Sequence, residues 1–392
     1  MDTLLELATL VARWVHLITG IAWIGASFYF VWLDNSLRPP PAWKQEQGVQ
    51  GDLWSFHGGG IYEVAKYQGA PPVMPQTLHW FYWEAYSTWL SGMVLLVLLY
   101  YLQASSYLLA PEGWVPEPGL AVLASLVFVG SGMLAYEVLL RLGLAARPAI
   151  FVGLMLLLLA LFSWLAGQLF AARAAYLHVG MLMGTIMVGN VLIGIIPPQR
   201  AFVRAIEAGA PLPVAGLTRA KLRSTHNNYL TLPVLFSMIS NHYPVLYGHR
   251  HGWLLLVIII AITGTARHFF NLRHRGTYRP SILVGCAAMF IVLGLCLAWE
   301  RRPAAVASEL SAVDAAQALI IARTHCTVCH GRQPSWPGIA AAPAGIVLET
   351  EDEFRRHASR SSIAVASAYM PLGNVTGLES AERALLLSWL AR

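Results

Sequence analysis

The stretch Cys326-Thr327-Val328-Cys329-His330, near the C-terminal end, constrains the fold of this chain more than any other. Cys-x-x-Cys-His is the attachment signature of a c-type haem, in which two thiols add to the haem vinyl groups and the histidine binds the iron. Disulfides, zinc half-sites and thioredoxin-like pairs share the Cys-x-x-Cys spacing. A thioredoxin pair sits in a βαβ unit and a zinc half-site needs a second ligand pair, and the sequence shows neither. We therefore predict one covalent haem c, attached through Cys326 and Cys329.

Met370, which lies 40 residues after His330, is the predicted second axial ligand of the haem iron. A methionine opposite the histidine raises the reduction potential of a haem used for electron transfer. We predict His330 and Met370 as the two metal ligands. The segments 313–323 and 380–390 have the apolar pattern of helices. Paired terminal helices around one haem are typical of a small, soluble, class I-like cytochrome c domain.

Outside this tail the composition is that of an integral membrane protein. Of the 392 residues, 57% are hydrophobic and only 12% are charged, whereas an ordinary soluble domain carries about 25% charged residues. The net charge of +6 does not indicate nucleic-acid binding, because the basic residues cluster between apolar spans. Membrane topology explains such clusters. The lipid bilayer is therefore a predicted partner, and nucleic acid is not.

Apolar stretches long enough to cross a bilayer, about 20 residues each, occur eight times in the first 300 residues. They lie near 14–33, 79–102, 119–140, 149–168, 175–196, 227–248, 252–272 and 281–299. Pro197-Pro198 is expected to end the fifth span, since proline lacks the amide hydrogen that a helix needs. The predicted fold is all-α: an eight-helix transmembrane domain over 1–300, a linker over 301–312, and the cytochrome c domain over 313–392.

The orientation follows from the basic residues in the loops, which concentrate on the cytoplasmic side of membrane proteins. With the N-terminus outside, two basic residues, Arg173 and Arg250, fall in the outer connections. Thirteen fall in the inner ones: Arg38, Lys44, Lys66, Arg141, Arg147, Arg200, Arg204, Arg219, Lys221, Arg223, Arg273, Arg275 and Arg279. Covalent haem c is attached on the outer side of the energy-conserving membrane. Both arguments predict a multi-pass protein of the bacterial inner (cytoplasmic) membrane, with its N-terminus and cytochrome domain on the periplasmic side.

Histidines within or at the ends of spans are candidates for function, because ionisable residues are costly in a bilayer. His16, His178, His242 and His268 are candidates for a second redox centre, since membrane cytochromes hold haem b between histidines of neighbouring helices. An additional haem b or metal ion in the membrane domain is considered on this basis. The alternative is that each histidine is a packed or interfacial residue bonded to a neighbour.

Three further stretches are candidates for the substrate site. His57 directly precedes three glycines that lie beside aromatic residues, and a flat ligand could approach the backbone there. His79 and Glu84 lie in an aromatic stretch at the start of the second span, and His226 precedes two asparagines. We predict His57, His79, Glu84 and His226 as ligand-binding or general-base residues. Interfacial packing and helix capping are the alternative roles of these stretches.

Electron transfer limits where the substrate can lie. Tunnelling falls off exponentially with distance, and the hydrocarbon layer is about 30 Å thick. A donor on the inner face could not reach an outer haem in one useful step. Either the substrate is oxidised near the outer face or a second redox centre bridges the gap, and the sequence leaves both open.

Nine motifs are spread over essentially the whole chain: Trp14-Val15-His16-Leu17, Trp23-Ile24-Gly25, His57-Gly58-Gly59-Gly60, Leu78-His79-Trp80, Trp83-Glu84-Ala85-Tyr86, His226-Asn227-Asn228-Tyr229, Asn241-His242-Tyr243-Pro244, the Cys-x-x-Cys-His signature and Met370-Pro371-Leu372-Gly373-Asn374. In these motifs the sequence resembles the integral membrane, cytochrome c-linked urate oxidases (urate hydroxylases of the PuuD type). The combination of eight spans with a C-terminal haem domain is specific.

The resemblance implies a membrane-bound oxidoreductase of purine catabolism that oxidises urate to 5-hydroxyisourate. It further implies that electrons pass through the haem to a soluble cytochrome c or a terminal oxidase, so that hydrogen peroxide is not a product. Two other interpretations stay open. One is a cytochrome c-linked oxidase or reductase for oxygen or nitric oxide, with histidine-held haem or copper. The other is a transporter or an anchor that displays a cytochrome, and the membrane histidines argue against a bare anchor.

Overall fold

The computed structural model describes residues 2–110, 113–300, 312–336, 339, 341–366 and 369–391. It is mostly helical, as the sequence predicts. One large buried apolar cluster lies in the helices of the first 300 residues, and another lies among residues 318–390. The predicted linker 301–312 falls outside the described residues, except for Ala312.

The helices of the first 300 residues are rich in Leu, Ile and Val, and each satisfies its own backbone hydrogen bonds, as a bilayer requires. They are α1 (Asp2–Ser36), α2 (Trp83–Leu96), α3 (Pro118–Arg141), α4 (Pro148–Leu169), α5 (Ala172–Gly189), α6 (Ile196–Glu207), α7 (Val214–Ile239), α8 (Gly252–His274) and α9 (Ser281–Glu300). Among the described residues, six helical runs are long and apolar enough to cross a membrane: Leu4–Ser36, Pro118–Arg141, Pro148–Leu169, Ala172–Glu207, Gly252–His274 and Ser281–Trp299. The chain is therefore a multi-pass membrane protein.

The second and sixth predicted spans are not among these six. α2 has 14 residues and continues as a π turn over Val97–Tyr101. α7 has 26 residues, but its first half is polar. Both still pack within the bundle, α2 against α1 and α7 against both α5 and α8. The count of eight spans stays a prediction.

The predicted bounds of the sixth span are wrong. The stretch 227–248 was expected to be helical throughout, but α7 begins at Val214 and ends at Ile239. A 3-10 turn over Ser240–His242 follows it, and a short helix then starts at a proline. The helix extends further toward its N-terminus because polar residues that a lipid-facing span would exclude pack here against other helices. His226 consequently lies in the middle of α7 rather than at its start.

The expected stop at Pro197-Pro198 is also wrong. Both prolines lie in the first turn of α6, where a proline's missing amide hydrogen removes no helical bond. A π turn over Asn190–Ile195 joins α5 to α6, so the helical run continues to Glu207. The π turn supplies the change of register that lets the helix continue across the prolines.

The buried centre of the bundle is α5. Leu182, Met183 and Ile186 are fully buried in it, and the helix packs against α3, α4 and α7. Such an environment explains why the run from α5 to α6 tolerates a π turn, since neighbouring helices hold it on several sides. α5 therefore positions side chains in the interior of the membrane domain.

The first long connection departs from the all-α prediction, because it contains an antiparallel hairpin of β1 (Val49–His57) and β2 (Gly60–Tyr67). Two glycines at the turn, Gly58 and Gly59, have φ of 58° and 86°, values that glycine adopts without strain. Such a two-residue turn fits the twist of a hairpin. We call this end of the bundle the hairpin end and the opposite end, where α2 finishes and α5 begins, the tail end.

The C-terminal domain is helical. Its longer helices are α10 (Ala312–Ala322), α11 (Glu351–Arg356), α12 (Ala358–Ala366) and α13 (Ser380–Leu390). The two terminal helices predicted from the sequence, over 313–323 and 380–390, are confirmed, and they pack against each other. Phe354, Leu386 and Trp389 are the largest fully buried side chains of its core.

The C-terminal domain lies against the tail end of the bundle. A short helix after α2, Ala104–Tyr107, packs on the turn Leu372–Asn374. The rings of Tyr247 and Tyr369 meet edge to face, with centroids 6.1 Å apart. The loop that contains Met370 therefore faces the membrane domain.

Candidate functional site

The Cys-x-x-Cys-His signature lies on a helical segment of the C-terminal domain. Cys326 belongs to a π turn that continues α10, and His330 ends the one-turn helix that follows. Both Cys326 and Cys329 are free thiols. The amide of Leu348 donates a hydrogen bond of 2.7 Å to the His330 carbonyl, and the Thr327 hydroxyl donates one of 2.6 Å to the Leu348 carbonyl. These bonds fix the signature against a neighbouring loop.

The donor set of this segment fits a covalently attached haem. Nδ1 of His330 lies 2.9 Å from the Ile346 carbonyl, a bond that places the proton on Nδ1 and leaves Nε2 as a ligand atom. Burial raises the pKa of the Cys326 thiol to about 12 and also raises that of Cys329. Among the described residues, no group of three His, Cys, Asp or Glu side chains is placed to hold a metal ion.

Met370 lies in a loop that main-chain bonds hold in place. Its amide donates to the Ala364 carbonyl at 2.9 Å, and its carbonyl accepts from Nη1 of Arg383 at 3.1 Å. The same nitrogen of Arg383 donates to the Val365 carbonyl at 2.6 Å. Arg383 therefore fastens the Met370 loop to α13. The roles of His330 and Met370 as axial ligands stay predictions.

A second concentration of polar side chains lies inside the membrane domain, where α3, α7 and the π turn after α5 meet. This polar cluster consists of Tyr136, Glu137, Asn190, Arg223, His226 and Asn227. Nδ1 of His226 lies 2.9 Å from the Tyr136 hydroxyl, which donates to Oδ1 of Asn190 at 3.1 Å. Asn190 in turn donates to Asn227 at 2.8 Å. The cluster thus bonds three elements together.

Arg223 is the charged centre of the polar cluster. It donates to Oδ1 of Asn190 and to Oε1 of Glu137, both at 2.9 Å. A Cβ at position 194 would lie 2.0 Å from Cδ of Arg223, so Gly194 in the π turn provides the space for this side chain. Oε2 of Glu137 is buried and has no partner among the described residues. Glu137 thus pairs with Arg223 inside the bundle and also with Arg141, whose Nε lies 3.5 Å from Oε1 on the exposed side.

The structure brings together only some of the predicted substrate residues. His57 is exposed at the tip of the hairpin, whereas His226 lies within the bundle, stacked on Phe151 with centroids 4.5 Å apart. Nε2 of His79 lies 4.0 Å from Oε1 of Glu84, and the His79 side chain is 71% exposed. Oε2 of Glu84 is buried without a partner among the described residues. The assignment of these four residues to ligand binding or base catalysis stays a prediction.

His178, one of the four candidates for a second redox centre, is fully bonded to protein atoms. Its Nδ1 lies 2.8 Å from the Ala174 carbonyl, and its Nε2 lies 2.8 Å from the Ser125 hydroxyl. Ser125 also meets the Tyr101 hydroxyl at 2.9 Å. Both ring nitrogens are therefore engaged in the observed packing.

The other three candidates lie in different places. Nδ1 of His16 lies 3.0 Å from the Thr88 carbonyl and links α1 to α2. Nδ1 of His268 lies 2.6 Å from the Tyr229 hydroxyl and links α8 to α7. His242 is exposed in the 3-10 turn after α7. A second redox centre, and any additional haem b or metal ion there, stays a prediction.

A cavity of about 720 Å³ lies between the tail end of the bundle and the C-terminal domain. We call it the junction cavity. Its lining includes Tyr107, Ser163, Arg173 and Tyr247 from the bundle and Tyr369 and Arg383 from the C-terminal domain. Nε of Arg173 and Oγ of Ser163 are buried and have no hydrogen-bond partner among the described residues. Cys326, Cys329 and His330 do not line it. The junction cavity is thus separate from the attachment segment.

The residues of the polar cluster other than His226, and both polar groups of the junction cavity, were not among the site residues predicted from the sequence. The available signal was the same one that selected the histidines, namely a polar residue inside an apolar span. Arg173 follows the start of α5 by one residue, and Tyr136-Glu137 and Asn190 interrupt apolar runs. Which of them meet is decided by helix packing, which sequence spacing does not give.

Comparison with known proteins adds one match. The family model described as urate oxidase N-terminal matches residues 2–298. The match covers the bundle, ends inside α9 and leaves out the C-terminal domain with its Cys-x-x-Cys-His signature. No curated protein and no solved structure matches the chain.

Proposed function

Because this chain belongs to the urate oxidase N-terminal family, we propose that it oxidises urate to 5-hydroxyisourate and passes the electrons through a covalent haem c. The observation that carries the proposal is the presence, in one chain, of this family's domain and a Cys-x-x-Cys-His segment whose donor set fits haem. The family match supports urate as the substrate, and the Cys-x-x-Cys-His segment supports electron transfer through a haem.

The reaction balances without oxygen. Urate and one water molecule give 5-hydroxyisourate, two protons and two electrons, with the new hydroxyl oxygen at C5 taken from water. When bound, the haem supplies one-electron transfer, so that the two electrons leave singly to a soluble cytochrome c or a terminal oxidase. Hydrogen peroxide is then not a product.

The chain's own residues would hold the haem in the C-terminal domain, which lies against the membrane domain. Cys326 and Cys329 would attach it, and the Ile346 carbonyl orients the His330 ring so that Nε2 is available to iron. Met370 would supply the sixth ligand from a loop that Arg383 fastens to α13. Electron transfer to an external carrier then starts from a domain outside the hydrocarbon layer.

The proposed location is the bacterial inner membrane, with eight spans and with the N-terminus and the cytochrome domain in the periplasm. The six apolar helical runs, together with α2 and α7, supply the eight crossings. The excess of basic residues in the connections at the hairpin end supports a cytoplasmic position for that end. The tail end, with the C-terminal domain, then faces the periplasm.

Anaerobic reduction of the haem by urate tests the proposal. The purified protein should show one haem c by pyridine haemochrome, and urate added without oxygen should develop the reduced c-type band. The variant Cys326→Ser/Cys329→Ser serves as the control and should lack covalent haem and show no such band. A wild-type haem that urate leaves oxidised would overturn the proposal.

The ligand assignment has its own measurement. Met370→Ala should lose the iron–sulfur charge-transfer band near the red edge of the visible spectrum while it keeps the covalent haem. If that band persists in the variant, Met370 is not the sixth ligand.

A further inference from the structure

We infer that the junction cavity is the urate-binding site, with Arg173 and Ser163 as its polar contacts and tyrosine rings as its walls. The inference rests on the proposed function and specifies where the oxidation takes place. Urate is a planar purine with three carbonyl groups, and it is an anion at neutral pH. A site for it needs a cation, hydrogen-bond donors and flat apolar walls.

The cation is the guanidinium of Arg173. The phenols of Tyr100, Tyr107, Tyr247 and Tyr369 lie near it. Nε of Arg173 is buried and has no hydrogen-bond partner among the described residues. A buried donor without a partner is unfavourable, so an anion that enters the cavity gains a charge-assisted hydrogen bond that the described residues do not make.

The second polar contact is Ser163, whose residue is only 2% exposed. Serine hydroxyls in helices usually bond a carbonyl of the preceding turn. Oγ of Ser163 has no such partner among the described residues, although Ser163 lines the cavity. This hydroxyl can therefore bond a purine oxygen or nitrogen.

The remaining charged groups of the cavity are engaged with the protein. Arg383 donates to two main-chain carbonyls, and Arg250 has partners of its own. Glu379 lines the cavity, but its carboxylate accepts the amide of Glu382 in a capping box of α13. Arg173 therefore supplies a cationic donor at this cavity, Nε, that no described residue uses.

The size and walls of the cavity also fit. Small-molecule sites usually enclose about 300–1,000 Å³, and the junction cavity has about 720 Å³. That space holds one purine together with several water molecules, one of which the reaction consumes. Tyr107, Tyr247 and Tyr369 line it and offer flat faces to a planar ring.

The position of the cavity would remove the need for electrons to cross the hydrocarbon layer on their way from urate to the haem. Tyr369, which lines the cavity, is the residue directly before Met370, the predicted iron ligand. Urate bound there lies beside the loop that approaches the haem, so the electrons need not cross the hydrocarbon layer. A second redox centre is then unnecessary for this transfer.

Urate binding to the reduced protein tests the inference, because a haem already reduced by dithionite cannot accept electrons from urate. Equilibrium dialysis with radiolabelled urate gives the dissociation constant directly. Arg173→Gln should raise it about 10- to 100-fold and Ser163→Ala about 2- to 10-fold, as expected for loss of a charged and a neutral hydrogen bond. Arg173→Lys, which keeps the charge, should recover part of the loss.

Two matched controls should bind urate as the wild type does. Arg360→Gln makes the same change on the exposed surface of α12, and Ser131→Ala removes a hydroxyl that already bonds the Phe128 carbonyl. Thermal unfolding and the c-type spectrum check the fold of each variant. Ser163→Ala removes only a hydroxyl that has no partner among the described residues, so this variant should fold. If Arg173→Gln does not accumulate, the dissociation constant of Ser163→Ala for urate tests the inference.

The outcomes separate this inference from the proposed function. If the wild type reduces its haem with urate while Arg173→Gln and Ser163→Ala keep the wild-type dissociation constant, urate binds elsewhere and the inference is overturned. A shifted haem potential with unchanged urate binding overturns it as well, since Arg173 would then serve the haem. A wild type that binds urate in an Arg173-dependent way without reducing the haem overturns the proposed function alone.

Discussion

The polar cluster and the junction cavity both place an arginine in the membrane domain, but they satisfy it differently. Arg223 of the polar cluster donates to both Glu137 and Asn190. Arg173 of the junction cavity has phenols around it, and its buried Nε has no partner among the described residues. The first arginine completes a network within the protein, and the second has hydrogen-bonding capacity left for a ligand.

This difference separates a structural role from a functional one better than residue type does. His226 drew attention in the sequence because it is a histidine in a span, yet it belongs to the internally bonded network. Arg173 was assigned only to an outer connection, yet it lies in the cavity between the two domains. An unsatisfied buried polar group is a second indicator of a ligand site beside residue type, and Oε2 of Glu84 and Oε2 of Glu137 share this property with Nε of Arg173.

The largest expected effect is loss of stability in the polar cluster. Arg223→Met leaves Glu137 with Arg141, 3.5 Å away, as its remaining cationic partner, and leaves Oδ1 of Asn190 without its charged donor. It should lower the free energy of unfolding by about 3 kcal/mol, the low end of the range for breaking a buried ion pair. Thermal unfolding in detergent measures this effect. The double variant Arg223→Met/Glu137→Met, which removes both charges, should recover most of the loss. An Arg223→Met protein of wild-type stability that fails to bind urate would instead make the polar cluster the ligand site.

A smaller loss is expected for a single hydroxyl of the same network. Tyr136→Phe leaves Nδ1 of His226 and Oδ1 of Asn190 without one bond each, at an expected cost of about 1–3 kcal/mol. The Michaelis constant for urate should stay within twofold, which steady-state assays with an artificial acceptor can measure. A large rise in that constant, with stability retained, would contradict the structural role.

Two buried serines, one hydrogen-bonded and one without a partner among the described residues, can be compared by the same Ser→Ala substitution. Oγ of Ser125 bonds both Tyr101 and His178, whereas Oγ of Ser163 bonds no described residue. Ser125→Ala should therefore cost about 1–3 kcal/mol of stability, and Ser163→Ala should change it by less than about 0.5 kcal/mol. Equal losses in thermal unfolding for the two variants would show that Ser163 is a structural residue.

The smallest effect concerns an internally bonded group outside the membrane. The Glu353 carboxylate accepts hydrogen bonds from the amides of Thr350 and Glu349 and pairs with Arg332. These interactions, chiefly the two amide hydrogen bonds, lower the pKa of Glu353 from 4.5 to about 2. Because the folded pKa lies below the ordinary value, the stabilisation is complete above pH 4.5 and disappears as the pH falls toward 2.

Glu353→Gln should therefore lower the unfolding temperature of the C-terminal domain at pH 7 and leave it less sensitive to acid between pH 4.5 and pH 2. Glu351→Gln, on an exposed carboxylate that pairs with Arg355 one turn away, is the control. Parallel acid curves for Glu353→Gln and the wild type would contradict the assignment of the acid-sensitive step to Glu353.

Much of the architecture follows from the sequence alone. The apolar runs predicted the bounds of α3, α4, α8 and α9 to within a few residues, because about 20 apolar residues in a bilayer have little choice but to form a helix. The bounds of α7 were wrong, since its polar first half is stabilised by neighbouring helices. The hairpin was missed because glycine-rich segments between aromatic residues suit a turn as well as a ligand loop.

What the sequence by itself determined is the multi-pass membrane character and the short motif of two cysteines and a histidine, because both depend on chemistry contained in contiguous residues. What only the tertiary structure decided is which distant polar groups meet and which remain unsatisfied. Tyr136, Asn190 and Arg223 come together from three elements, and Ser163, Arg173 and Tyr369 surround one cavity from two domains. A hydrogen bond reaches about 3 Å, so its presence or absence depends on packing that no spacing along the chain encodes.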